Sequence, residues 1–396
     1  MNLNLLDRNN NASILLAGIL SVIIGLGVAR FAFTSLLPPM LDSFLTLSFA
    51  GILAALNFAG YLGGSILSMF IKDINQKVIL FRIGLILSII TTFILGITTS
   101  ETIWLITRII AGLSAALTFV VGSAIVMTKL KFENKTKAMG IHFSGIGFSI
   151  LVTDLISRAV LNYGGSWQNS WIILSCFAFF ASLYIMYILH FDKRIEQTKI
   201  KHKFDKSLFS FFVILVIAAY FTEGVGFVVQ ATFLPDIVNS LEGLEGYGSL
   251  TWTFVGLAGI PSCIFWMTLA HKYGSVNIII ITLLVQMIGI LIPTFTNNMY
   301  MNLLSGVLYG GTFVGLVGMF MNLGGKLAAH NPVVLMGAVT TSYGIGQVIA
   351  PLYSVYFIET YGNYDYALYL TAAIVLFGIL LLLFAKTIMT EEQKKL

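Results

Sequence analysis

Charge is scarce in this chain. Of 396 residues only 10% are Asp, Glu, Lys or Arg, against about 25% in an ordinary soluble domain, while 58% are hydrophobic. With a mean hydropathy of +0.93, that balance excludes a conventional water-soluble core of this length. Only two cysteines occur, Cys176 and Cys263. Both lie inside apolar runs, so they read as small apolar fillers and say nothing of a redox compartment. No break between the runs is long enough for a soluble domain; the longest, 191–207, is rich in His, Lys and Arg. The glycine-rich stretches lack the Lys-Ser/Thr ending of a phosphate loop, and no His-Glu-x-x-His, Gly-x-Ser-x-Gly or clustered metal ligands occur. An enzyme is therefore not expected, nor a cofactor or a metal, and transport without an energy domain must use an ion gradient or run downhill. His142, His190, His202, His271 and His330 are scattered, and snorkelling or loop placement accounts for them.

What the chain does have is apolar runs of about 20 residues, each long enough to cross a bilayer core of roughly 30 Å as a helix. They fall at 13–37, 46–71, 78–98, 102–128, 138–161, 170–190, 208–234, 247–270, 275–295, 299–324, 333–357 and 365–386. They are too long for barrel strands and do not alternate strictly. The first is too long, and lacks a small-residue cleavage site, for a removed signal peptide. Arg8, Lys72, Lys77, the Lys129–Lys137 cluster, Lys193 through Lys206, Lys272, Lys326 and Lys394–Lys395 all fall on one side of such a bundle. The opposite loops carry Asp42, Glu101, Asp236, Glu242, Glu245, Glu359 and Asp365 without Lys or Arg. Basic residues stay inside, so both termini are expected in the cytoplasm. The net charge of +5 reflects that sidedness rather than a nucleic-acid partner; the partner expected is the lipid bilayer.

Faint internal similarity divides the runs into two sets of six. Gly27-Val28 and Leu37-Pro38 recur as Gly224-Val225 and Leu234-Pro235, and Thr118-Phe119-Val120 recurs as Thr312-Phe313-Val314. Met139-Gly140 with Gly145-Ile146-Gly147 is echoed by Met336-Gly337 with Gly344-Ile345-Gly346. Matches at a nearly constant offset on corresponding helices point to a duplicated unit. The expected domains are a six-helix bundle at 1–190, a cytoplasmic linker at 191–207 and a second six-helix bundle at 208–396.

Arg108-Ile-Ile-Ala-Gly112 resembles the helix-4 Arg-x-x-x-Gly motif of the major facilitator superfamily (MFS), and Gly63-Gly64 with Lys72-Asp73 and Lys77 resembles a degraded form of its Gly-x-x-x-Asp-Arg-x-Gly-Arg loop motif. Gly27-Val-Ala-Arg30-Phe-Ala-Phe-Thr34 through Pro38, Glu223-Gly-Val-Gly through Pro235, Trp167 through Trp171, and Tyr343-Gly-Ile-Gly-Gln347 before Pro351 are similar to the YbfB/YjiJ-type bacterial branch. The resemblance implies an all-α membrane protein of twelve transmembrane helices in two pseudo-symmetric six-helix bundles. It also implies an ion-coupled carrier of the bacterial inner membrane.

Four ionisable residues, Arg30, Arg108, Asp154 and Glu223, sit inside the apolar runs, where each costs roughly 2.5–3.5 kcal/mol or more unless it faces a wet or paired interior. At 1.5 Å per residue, Arg30, Asp154 and Glu223 lie about 23–25 Å from the cytoplasmic face and Arg108 about 9 Å from the outer one, so all four share roughly one level. In the resembled fold helices 1, 4 and 7 line the central cavity. Arg30 suits a substrate carboxylate or phosphate through its planar fork, or braces helix 1 against carbonyls. Arg108 biases a neighbouring carboxylate or pins helix 4. Glu223 is the candidate for binding the coupling proton, against a permanent ion pair with Arg30 or Arg108. Asp154 is a second proton candidate, although its spacing from Arg158 favours pairing on one helix face. Asn57, Tyr61, Gln230, Tyr343 and Gln347 are candidate polar contacts for a substrate, or ordinary helix–helix hydrogen bonds.

The reading favoured is a proton-coupled symporter of a small organic anion working by alternating access, with a monomer expected. Export of amphipathic drugs, metabolites or a siderophore by antiport is the alternative, and a non-transporting receptor or enzyme on the same scaffold the remote one.

Overall fold

A computed structural model of the chain describes residues 4–71, 73–131, 135–190, 209–327, 332–390 and 393. The 191–207 linker with His202, and Lys72, His330, Lys394, Lys395 and part of the Lys129–Lys137 cluster, lie outside the described residues. Within them every regular element is helical. The long helices are α1 (Asn11–Leu41), α2 (Leu47–Phe70), α3 (Ile74–Ile97), α4 (Glu101–Lys129), α5 (Lys135–Asn162) and α6 (Trp167–Ile188). They continue with α7 (Phe211–Asn239), α8 (Gly248–Tyr273), α9 (Ser275–Leu291), α10 (Met299–Leu327), α11 (Pro332–Tyr361) and α12 (Asp365–Thr387). Among the described residues, 11 helices are long and apolar enough to cross a membrane by length and composition; α11, 30 residues long, is the further long helix.

Local chemistry sets the helix ends. The Asn10 side chain accepts from Ala12 N, Asp73 accepts from Asn75 N, and Ser166 with Asn169 forms a capping box before α6, each satisfying donors that the first turn leaves over. Between α8 and α9 a single residue, Gly274, makes the turn at φ 89°, a conformation that a β-carbon disfavours. Two ends run past the hydrophobic signal: α1 continues through Pro38 and Pro39, and α7 through Pro235 to Asn239. Proline removes one helical hydrogen bond, but surrounding helices tolerate that inside a membrane protein. Neither α1 nor α4 is uniform. Ile23–Phe31 and Leu117–Val121 are wound as π-helix, a local widening that recurs at functional positions.

The chain divides into two compact units, Met1–Leu45 with Leu56–Lys199, and Thr46–Ala55 with Ile200–Leu396. Trp104, Trp171 and Phe81 are fully buried in the first; Trp252, Tyr220, Tyr309, Phe233, Phe313 and Phe320 are fully buried in the second. On α3, Ile79, Ile83, Ile86, Ile90, Phe93 and Ile97 are exposed at helical spacing, as are Leu376, Phe377, Leu380, Leu383 and Phe384 on α12. Such all-apolar outer stripes are what a lipid-facing helix presents.

Candidate functional site

In the first unit the π-wound turn of α1 carries Arg30, which is buried. Its Cζ lies 4.1 Å from the ring centroid of Phe58, 5.1 Å from that of Tyr61 and 5.6 Å from that of Phe31. Arg108 of α4, also buried, lies 4.5 Å over Phe33 and donates from Nη1 to the Ala29 carbonyl at 3.4 Å. Aromatic faces attract a guanidinium through the ring quadrupole, which is how two cations are housed in an apolar bundle. Asn57 of α2 ties the group together: its amide nitrogen donates to the carbonyls of Ala29 at 3.3 Å and Arg108 at 3.1 Å. The helices come this close because Gly112 stands where a β-carbon would lie 1.9 Å from the Asn57 carbonyl oxygen. The structure thus brings Arg30, Arg108, Asn57 and Tyr61 into one cluster. The two guanidinium charges repel each other across it. On α5, Asp154 is fully buried and meets Arg158 at 3.9 Å, the pairing its i,i+4 spacing suggests. Gly27 of α1 packs on Ser149 and Thr153, so the Asp154 turn of α5 lies beside α1.

In the second unit Glu223 is fully buried, and neither carboxylate oxygen has a hydrogen-bond partner among the described residues. Gln286 of α9 faces it, although the Gln286 amide also makes no bond of normal geometry. Gln230, two turns on, donates to the Gly289 carbonyl at 3.3 Å and to Ser305 Oγ at 3.5 Å. Glu223 and Gln230 therefore share one face of α7, and that face looks toward α9. Another face is aromatic. Tyr220 stacks on Tyr343 of α11 with centroids 4.5 Å apart and on Phe320 of α10 at 4.4 Å. Phe227 lies 5.1 Å from Phe313, and Tyr309 Oη donates to the Phe227 carbonyl at 2.6 Å. Gln347 is fully buried, and neither amide atom has a hydrogen-bond partner among the described residues. Contact between α7 and α11 runs through Gly224, whose β-carbon would lie 2.2 Å from the Tyr343 carbonyl oxygen.

One residue that sequence reasoning set aside belongs here. His142 is neither in a loop nor at a snorkelling position: it is fully buried on α5. Its Nε2 meets Ser123 Oγ of α4 at 2.8 Å, and its Nδ1 has no hydrogen-bond partner among the described residues. The signal was the helical register of α5, which puts His142 one turn before Gly145, the glycine packed on Ile19 and Val22 of α1.

Long apolar-faced helices enclosing buried charges define a multi-pass membrane protein. Residues 22–383 match the family described as uncharacterised MFS-type transporter YbfB, and the chain belongs to that family of transporters within the major facilitator superfamily. A multidrug efflux pump, SdrM of Staphylococcus aureus (strain N315), is 28% identical over 203 residues, 50% of this chain and 43% of the pump. The matched segment thus spans less than half of that relative's length.

Proposed function

We propose that this transporter moves a small organic anion into the cell together with protons, by alternating access, in the inner membrane of a bacterium with both termini cytoplasmic. The observation that supports the anionic substrate is the pairing of Arg30 and Arg108 in one buried cluster. An anion arriving between two mutually repelling guanidiniums is held by both charges and by their planar donor forks. In this reading Arg30 and Arg108 are the anion contacts, with Asn57 and Tyr61 beside them; Gln230, Tyr343 and Gln347 are the further candidates for polar contacts. Glu223 binds the coupling proton, since a buried carboxyl group without an ion pair or hydrogen bond is held most cheaply as the neutral acid. Asp154 is the second candidate, its proton competing with Arg158 for the carboxylate.

The test is flux into proteoliposomes of the purified protein, using radiolabelled mono- and dicarboxylates with and without an inward proton gradient. Arg30→Ala is expected to lower gradient-driven uptake at least tenfold. Glu223→Gln is expected to abolish acceleration by the gradient while leaving exchange at equal pH. Full gradient-driven uptake by both variants refutes the assignment.

A second reading is proton-coupled export of amphipathic compounds, supported by the similarity of half the chain to a multidrug pump and by the stacked aromatic rings of α7, α10 and α11. Ethidium accumulation in pump-deficient cells separates the two: lower accumulation on expression, lost in Glu223→Gln, favours export.

A further inference from the structure

The imidazole of His142 is set between three helices of the first unit. Ser123 Oγ donates its one proton to the Phe119 carbonyl at 2.6 Å, so toward Nε2 of His142, 2.8 Å away, the hydroxyl oxygen acts as acceptor. Nε2 therefore carries the hydrogen and Nδ1 is a bare lone pair. That lone pair is shielded from solvent and meets no donor among the described residues. It lies against Gly18 of α1, where a β-carbon would stand 2.8 Å from Nδ1 and 3.0 Å from Val126 Cγ2. In the packed arrangement a second proton on the ring has nowhere to point: the wall is a helix backbone whose carbonyls are used by the helix itself.

Both neighbours of the ring lead to the π-wound turns. Phe119, which receives the Ser123 bond, lies inside the π-segment Leu117–Val121 of α4. Gly18 lies just over one turn before the π-segment Ile23–Phe31, which carries Arg30. The glycine that sits on His142 and the arginine of the cluster thus belong to one helix.

Among the described residues no counter-charge stands by to neutralise an imidazolium. On α1 the single charged residue is Arg30, about 18 Å along the helix from Gly18 at 1.5 Å per residue. On α4, Glu101 and Arg108 lie at the far end, and Lys129, about 9 Å from Ser123 by the same rise, spends its ammonium on the carbonyls of Ile188 and His190. On α5, Asp154 and Arg158 are at least about 18 Å away and Lys137 is exposed. The α6 helix has no charged residue, and α3 offers Lys77 and Arg82, the latter against His190 at 2.9 Å.

We infer that His142 is a proton-binding site of the first unit, vacant when α1 is packed on α5 and filled when α1 moves off and Nδ1 meets water. Binding one proton only in the opened arrangement makes opening of α1 depend on pH, by up to about tenfold per pH unit below the midpoint. This site is distinct from Glu223 and does not rest on the nature of the substrate.

The experiment is hydrogen–deuterium exchange mass spectrometry of the full-length protein in detergent micelles between pH 5 and 8, with rates corrected for the intrinsic pH dependence of amide exchange. In the wild type, opening of the α1 peptides is expected to rise as pH falls, and in His142→Gln that dependence is expected to vanish. Exchange at the imidazole C2 position of His142 in the wild type supplies a readout that needs no variant. Its titration midpoint is expected to coincide with that of α1 opening. Flat α1 exchange in the wild type, an unchanged slope in His142→Gln, or two midpoints that differ by more than one pH unit overturns the inference.

Discussion

The side-chain amide of Asn57 donates to the main-chain carbonyl of Arg108 at 3.1 Å and, with the same nitrogen, to Ala29 at 3.3 Å. One amide on α2 therefore holds α1 and α4 together beside both arginines. Replacing it with Ala removes two buried hydrogen bonds, each worth about 0.5–1.5 kcal/mol. Asn57→Ala is expected to lower stability by about 1–3 kcal/mol, read as a fall in the thermal unfolding midpoint in detergent.

Two glycines of the α2–α4 region differ sharply in what surrounds them. A β-carbon at Gly112 would lie 1.9 Å from the Asn57 carbonyl oxygen, whereas one at Gly63 meets nothing within 4 Å. Gly112→Ala must push two helix backbones apart, and overpacking of this kind costs about 1–3 kcal/mol or more. Gly63→Ala is expected to be neutral or slightly stabilising through helix propensity. Thermal unfolding of the two variants side by side checks the contrast.

At the start of α12, Tyr364 donates its hydroxyl to Asp236 of α7. Burial, followed by the nearby Asp236 charge and the hydrogen bond to it, pushes the phenol well above its ordinary value of 10.0. A group whose folded value is raised stabilises the protein fully below the unfolded value and loses that contribution as pH rises beyond it. Above about pH 10 the wild type is therefore expected to lose stability faster than Tyr364→Phe, by up to about 1.4 kcal/mol per pH unit for one proton. Unfolding midpoints of both proteins between pH 8 and 11 test this.

Glu223 makes no hydrogen bond of normal geometry and no ion pair among the described residues, so its carboxyl group is a weak tie at most between α7 and Gln286 of α9. Glu223→Gln keeps the shape and removes the titratable group. Its thermal midpoint is expected to equal or exceed that of the wild type. A fall equivalent to more than about 1 kcal/mol would indicate a structural anchor, because that is the worth of a typical lost hydrogen bond.

Local features were legible in the residues. Hydrophobic runs located the long helices, because crossing a bilayer is a demand on consecutive residues. The Asp154–Arg158 contact followed from i,i+4 spacing, and the shared face of Glu223 and Gln230 from seven-residue spacing. Pro38 and Pro235 misled the span ends, since proline's local penalty is offset by neighbouring helices that no local window contains.

The residues alone determined that this chain is a helical membrane protein keeping Arg30, Arg108, Asp154 and Glu223 in its apolar spans, because hydropathy and charge are sums over neighbouring positions. Only the tertiary structure decided what those side chains meet: Arg30 and Arg108 on aromatic faces, beside the Ala29 and Arg108 carbonyls that Asn57 ties together, Glu223 turned toward Gln286, and His142 sealed against Gly18. Those pairings join positions far apart in the chain, and they depend on where small residues let one backbone approach another. That approach is a property of packed pairs of helices, and no single helix carries it.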